Sequence, residues 1–372
     1  MRNIICIAQS RWSSDTPERP QQWMQGLSSA EISYFELTVT SKLSVFLTRR
    51  GVLEVTEPQP GVKVYRLPLM YFHRTGTTPM ERFSRKRTAM LICQCLKNTH
   101  IGSSALLWCA TPIASELIGE IPHNAVIYDC YRPWEQYPKQ LESELAYDAD
   151  LVFAASENLM KHVSPCNPDT FLLPNGCNYS LFAPGRSNQI PLDPVLAQLT
   201  HPIFGYLGDV ERSMDLQPII AAAKEHPDWT FALIGRVRAR HPDALALKDT
   251  PNIVCTGRRK PHEVAGCLAA CDVCFDLRHN DIADEDAIPE RIYGYFAAEK
   301  PVVCLYPRRY IPKYDDVIYS ATTTGDFELA CRKAINEAGR RRSQRRGEYA
   351  RRADWSVRIE LLEQILRENG LM

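Results

Sequence analysis

Pro289-Glu290-Arg291-Ile292-Tyr293-Gly294-Tyr295-Phe296-Ala297-Ala298-Glu299-Lys300-Pro301-Val302-Val303-Cys304-Leu305 carries a helix start, a helix end and a buried strand in one short stretch. Pro289 suits a first helical turn, Ile292, Tyr293 and Phe296 recur at helical spacing, and Pro301 stops the helix before the apolar run Val302 to Leu305. The helix start brings unpaired backbone N–H groups together with the cation of Arg291, a setting that suits a diphosphate. Asp284, Glu285 and Asp286 lie just ahead. Glu285 and Asp286 are candidate catalytic carboxylates.

Outward from this stretch, short apolar strands alternate with helical segments almost throughout, the pattern of parallel α/β layers. One series is expected at Ile4 to Ala8, Val62 to Leu67, Ala105 to Cys109, Ala125 to Tyr128, Leu151 to Ala155 and Phe171 to Leu173. A second is expected at Ile203 to Gly208, Thr230 to Ile234, Ile253 to Thr256, Val273 to Leu277, Val302 to Leu305 and Val317 to Ser320. The Pro- and Gly-containing run Ala183 to Pro191 reads as the linker between them. Trp355, Ile359, Leu362 and Leu366 recur at helical spacing, so Tyr349 to Asn369 reads as one closing helix. The predicted division is 1–184, 185–348 and 349–372.

The 372 residues suffice for two cores, and 44 Lys and Arg balance 44 Asp and Glu. That balance gives no general argument for nucleic acid. The N-terminal apolar run is too short for a signal peptide, and no later run approaches a membrane span, which predicts a cytosolic protein. The 13 cysteines scatter through apolar stretches and read as reduced core thiols. Cys267, Cys271 and Cys274 have a C-x3-C-x2-C spacing, but they bracket a helix end and a strand late in the chain, which argues against an iron–sulfur loop. Two basic clusters, Arg82 to Arg87 and Arg340 to Arg346, could meet anionic lipid head groups; a solvated helix face is the simpler reading.

Three successive strands of the second series end in Gly followed closely by Arg: Gly208 with Arg212, Gly235 with Arg236, and Gly257 with Arg258. In a parallel sheet these ends share one edge, where a phosphate-bearing ligand would sit beside Arg291. No P-loop or G-x-G-x-x-G pattern occurs. In the first series Asp129 ends a strand ahead of Tyr131-Arg132-Pro133-Trp134 and is a candidate base or sugar ligand, or else a turn cap. Ser156 reads as a helix cap. His279, Asp281 and Asp284 to Asp286 fit no compact metal site.

In these residues the chain resembles GT-B glycosyltransferases of the family-four type, close to bacterial teichuronic-acid-type transferases. The resemblance rests on Arg19-Pro20-Gln21-Gln22, Tyr128-Asp129-Cys130, Ala149 to Val152, Leu173-Pro174-Asn175-Gly176, Gly205 to Gly208 with Arg212 and Asp215, Pro227-Asp228-Trp229, Gly257-Arg258-Arg259 and the Pro289 segment, in that order. It implies two Rossmann-like domains with parallel sheets facing a central cleft, and a C-terminal helix closing back on the N-terminal domain.

It also implies transfer of a sugar from a nucleotide-diphosphate donor, bound through Gly208, Arg212, Gly235, Arg236, Gly257, Arg258, Pro289, Glu290, Arg291, Ile292 and Tyr293, to a carbohydrate or lipid-linked acceptor. The nucleotide sugar is a co-substrate; no metal or other cofactor is implied, and the anomeric configuration would be retained. Three positions depart from the family. Gly294 replaces a Glu that grips the donor ribose, a loss of about 1–3 kcal/mol that Glu290, one turn earlier, would partly replace. Glu299 replaces the helix-ending Gly, and Asn178 an Asp. A non-catalytic GT-B nucleotide- or partner-binding protein and a nucleotide-sugar 2-epimerase are the alternatives.

Overall fold

The computed structural model describes residues 3–13, 17–27, 29–40, 54–70, 79–97, 105–187, 189–212, 214–238, 241–277, 288–306 and 311–372. Contacts divide the chain into Met1–Pro174 with Arg358–Met372, and Asn175–Val357.

The first unit holds β1 (Asn3–Ala8), β2 (Glu31–Thr40), β3 (Glu54–Gln59), β4 (Val62–Met70), β5 (Leu106–Cys109), β6 (Ala125–Cys130), β7 (Leu151–Ala154) and β8 (Thr170–Leu172). They form one sheet in the order β3-β4-β2-β1-β5-β6-β7-β8, with β3 antiparallel to β4 and every other pairing parallel. The central strands are buried on both faces, hence their continuous apolar runs. Neither β2 nor β3 was among the expected strands. β2 carries a charge in its apolar run, since buried Glu36 accepts from Arg66 Nε at 2.8 Å. β3 is an edge strand, exposed at every residue but its last, so it has no apolar signal.

The second unit holds β9 (Ile203–Leu207), β10 (Thr230–Ile234), β11 (Ile253–Cys255), β12 (Val273–Asp276), β13 (Val302–Cys304) and β14 (Ile318–Ser320). All pair parallel, in the order β11-β10-β9-β12-β13-β14. That is the doubly wound order, and it reverses direction between β9 and β12; ligands of such sheets bind outside the strand carboxyl ends at that point. Phe204 stacks on Phe231 with centroids 4.9 Å apart, and Tyr206 and Phe275 extend the aromatic core.

The single closing helix expected over Tyr349 to Asn369 is in fact two, Arg341–Arg352 and Trp355–Glu368. The break is made by the segment after Pro174. Cys177 N donates to Ala353 O at 2.9 Å, Trp355 N donates to Cys177 O at 3.0 Å, and the Asp354 carboxylate accepts from Tyr179 N at 2.8 Å. Backbone groups that would continue the helix are thus satisfied across it. The expected linker also moves: Ala183–Arg186 is a helical turn inside the second unit, and the division falls at Pro174 and Asn175.

Candidate functional site

The carboxyl edge of the second sheet is built on two glycines. Gly208 follows β9 with φ +140°, and a Cβ on Gly235 after β10 would lie 1.9 Å from the Gly208 carbonyl oxygen. Only glycine lets the two strand-end loops touch. The close packing brings two of the expected arginines together on a residue the sequence reading passed over. Asp209 accepts from Arg258 Nε at 3.0 Å and from the Arg236 backbone N–H at 3.0 Å, and the Arg236 guanidinium stands 3.5 Å away. Burial alone would raise the Asp209 pKa, but the Arg258 hydrogen bond and the Arg236 N–H outweigh it and hold the carboxyl at about 2.

Arg236 and Arg258 are therefore partly neutralised rather than free phosphate ligands. Arg259 is taken by Asp193 at 2.5 Å, and Arg238 by Glu211 at 3.0 Å. Arg212 is exposed in the turn after β9, and Gly257 has φ +74° in the turn after β11.

Across the strand-order reversal stands the helix Glu290–Ala297, with Pro289 as its N-cap residue. Arg291 Nε donates to Asp276 Oδ1 at 2.5 Å, and its guanidinium lies 5.2 Å from the Tyr206 ring centroid. Asp276 ends β12 with no exposed side-chain surface and also accepts from the Tyr306 hydroxyl; the Arg291 side chain keeps 23% of its surface exposed. Tyr295, on the same helix, accepts from Leu207 N at 2.8 Å. The cation of Arg291 is thereby fixed at the reversal point by groups from β9 and β12.

The remaining helix residues divide. Ile292 and Tyr293 are 0% and 1% exposed, and the Tyr293 hydroxyl meets that of Tyr314 at 3.0 Å. Their side chains belong to the core, so neither is a side-chain donor ligand as expected. Glu290 is bonded by the Asn178 backbone N–H and the Trp355 side chain; burial, only partly offset by these bonds, raises its pKa to about 7. It is turned to the segment around Asn178, away from the role of replacing a carboxylate at 294. A Cβ on Gly294 would approach the Phe182 ring to 2.8 Å. Glu299 ends the helix with φ 56°, so the terminus is left-handed without the glycine that the resemblance leads one to expect there.

In the first unit Asp129 is fully buried, accepting from Arg19 Nε at 2.9 Å and Trp23 Nε1 at 3.1 Å. Burial raises its pKa while Arg19 opposes the rise. With both oxygens committed and no exposed surface, it is neither the expected base nor a turn cap; it is half of an internal ion pair. Ser156 caps the helix Glu157–Val163 by accepting from Leu159 N at 3.2 Å. Glu285 and Asp286, with His279, Asp281 and Asp284, lie outside the described residues. Among the described residues no group of His, Cys, Asp or Glu is placed to hold a metal. Cys267 lies on a buried helix and Cys274 on β12.

The basic clusters also divide. Arg346 is fully buried, donating to Glu337 at 3.0 Å and to the Val317 carbonyl at 3.3 Å, while Arg345 pairs with Asp316 and Arg342 lies 4.9 Å over Tyr319. Most of Arg340 to Arg346 thus serves the fold rather than a lipid surface. On the helix Pro79–Leu96, Arg85 pairs with Glu116, but Arg82, Phe83, Lys86 and Met90 are exposed. Among the described residues no helix is long and apolar enough to cross a membrane.

No protein-family profile matches the chain. It is 24% identical over 323 residues, 78% of each chain, to TuaH of Bacillus subtilis, a protein assigned as a teichuronic acid biosynthesis glycosyltransferase. Among solved structures it is similar to the E. coli trehalose-6-phosphate protein bound with UDP-2-fluoro glucose (TM-score 0.72, 13% identity, 98% of each chain covered). It is likewise similar to sucrose-phosphate synthase of Thermosynechococcus elongatus (0.70, 13%, 99% of each). A third is HepE of Anabaena in complex with UDP (0.66, 15%, 98% of this chain and 100% of that one). The two Rossmann-like units have the GT-B fold.

Proposed function

We propose that this protein is a glycosyltransferase that moves a sugar from a nucleoside diphosphate sugar, with UDP as the carrier, to a carbohydrate or lipid-linked acceptor in surface polysaccharide or glycoconjugate synthesis. The observation that carries the reading is Arg291, held by Asp276 and Tyr206 where the strand order reverses. Departure of the nucleotide builds charge on the diphosphate. Arg291, exposed Arg212 and the N–H groups at the helix start would meet that charge, a role that needs no metal. The backbone at Gly208 and Gly235 would lie along the phosphates, and that at Gly257 and Arg258 along the base. Retention of configuration rests on the family resemblance. The likeness to TuaH and to structures solved with UDP and UDP sugars supports the donor class.

The exposed Arg82, Phe83, Lys86 and Met90 on one helix support peripheral contact with anionic lipid, which a lipid-linked acceptor would require. The experiment for the main reading is incubation with UDP sugars and a mixed glycan or lipid extract, with UDP and products followed by mass spectrometry in buffer containing EDTA. Transfer under chelation supports the proposal whole. A second reading, nucleotide binding without turnover, draws on Gly294, which leaves no carboxylate for a ribose; saturable UDP binding with no product from any donor would favour it.

A further inference from the structure

The carboxyl edge of the first sheet holds buried polar groups that nothing in the described chain satisfies. Beyond β6, the rings of Tyr131 and Trp134 meet edge to face at 5.6 Å, and Trp134 lies 6.0 Å from Tyr137. The Arg132 guanidinium covers both, 4.3 Å from the Trp134 centroid and 5.4 Å from that of Tyr131. Gln9, just past β1, bonds the Tyr137 hydroxyl and ties the cluster to the sheet. Tyr131 and Trp134 are 8% and 4% exposed, and Thr111, just past neighbouring β5, is 0% exposed. Yet among the described residues the Tyr131 hydroxyl, Trp134 Nε1, Arg132 Nε and Thr111 Oγ1 are buried with no hydrogen-bond partner.

Other buried polar groups of the same sheet are satisfied, as where the Tyr128 hydroxyl donates to Glu142 at 2.6 Å and Asn167 donates to the Ala146 and Ala149 carbonyls at 2.9 and 2.6 Å, while Trp108 Nε1 on β5 and Ser115 Oγ just beyond Thr111 are unmet like the four. An unmet buried donor costs about 1–3 kcal/mol, so four such atoms at the ends of two adjacent strands point to a ligand that completes them.

The set is rich in donors. An indole N–H and an arginine Nε only donate, and burial pushes the Tyr131 hydroxyl up, so it stays protonated. The nearest buried carboxylate in sequence, Asp129, is committed inward to Arg19 and Trp23. We infer that Tyr131, Arg132 and Trp134, with Thr111, form an acceptor subsite for a sugar bearing an oxyanion, a carboxylate or a phosphate, whose oxygens take the free donors. Arg132 and the indole N–H grip the anion. The inference rests on the proposal above that the protein handles a carbohydrate acceptor.

Saturation-transfer NMR on the full chain tests it with methyl glucuronide, glycerol phosphate and neutral methyl glucoside, alongside a UDP titration. The native chain should bind at least one anionic probe about tenfold more tightly than methyl glucoside, and which of the two identifies the anion. Arg132→Gln should bring that affinity down to the neutral level. Trp134→Phe, which keeps the ring and loses the N–H, should lower it several-fold. Both variants should bind UDP as the native chain does, which also reports that they fold. Equal affinity for charged and neutral probes in the native chain would overturn the inference, as would a preference that either substitution leaves at its native size. Failure of UDP to bind would count against the glycosyltransferase reading alone, because the probe preference is measured without it.

Discussion

Arg291 Nε donates to Asp276 Oδ1 at 2.5 Å, joining the first turn of the helix Glu290–Ala297 to the last residue of β12. The pair converts a mobile side chain into a fixed cation at the reversal point of the sheet. Asp276→Asn leaves the Arg291 charge without its buried counter-ion. Urea unfolding should show a loss of about 3 kcal/mol, and the affinity for UDP should fall several-fold as Arg291 loses its anchor. Unchanged stability would mean that the guanidinium is solvated enough to do without Asp276.

Asp129 and Arg19 allow a base and a structural ion pair to be told apart. Asp129→Asn should lower the urea midpoint, by about 3 kcal/mol in stability, while turnover below the melting temperature stays within about tenfold of native, less than the roughly 10²–10⁴-fold that a general base contributes. Native-like stability with turnover abolished would restore Asp129 as a base.

Glu290 should give the stability a pH slope. Its pKa is raised from the ordinary 4.5 to about 7, so between those values the folded chain holds a proton that the unfolded chain has released. Stability present below pH 4.5 is therefore lost as pH rises through about 7, and is flat beyond. Glu290→Gln should remove that component and stabilise the chain at pH 8, by on the order of 2 kcal/mol. Chemical unfolding of both proteins at pH 5, 6, 7 and 8 measures the difference; parallel curves would show that the Glu290 carboxyl is not desolvated.

Gly294 is held to glycine by Phe182. Alanine there gains about 1 kcal/mol of helix propensity, but its Cβ would come 2.8 Å from the ring, and overpacking costs about 1–3 kcal/mol. Gly294→Ala should therefore destabilise by about 1 kcal/mol, and become stabilising in a Phe182→Ala background. An additive double-mutant cycle would show that the two positions do not meet. Gly294→Glu, which would place there the carboxylate that the resemblance leads one to expect, meets the same ring.

The parallel strands were legible because burial on both faces leaves continuous apolar runs, as in Ile4 to Ala8 and Thr230 to Ile234. β3 was not, because an exposed edge strand carries no such run, and β2 was hidden by the charge of Glu36. At the site, the glycines and Arg291 could be read from spacing. The partners that decide what each arginine does could not, since Asp209 reaches Arg236 and Arg258 only once two distant strand ends are packed together. The same holds for Asp129, whose role is set by Arg19 and Trp23 more than 100 residues away. The break at Asp354 depended on a backbone pairing with Cys177 that helical periodicity cannot register.

Calorimetric titration of UDP into the native chain, Arg291→Ala and Arg341→Ala tests the donor site most directly. The account predicts saturable binding to the native chain, a loss of about 10- to 100-fold in Arg291→Ala, and native affinity in Arg341→Ala. Equal affinity in all three, or no binding to the native chain, would contradict it.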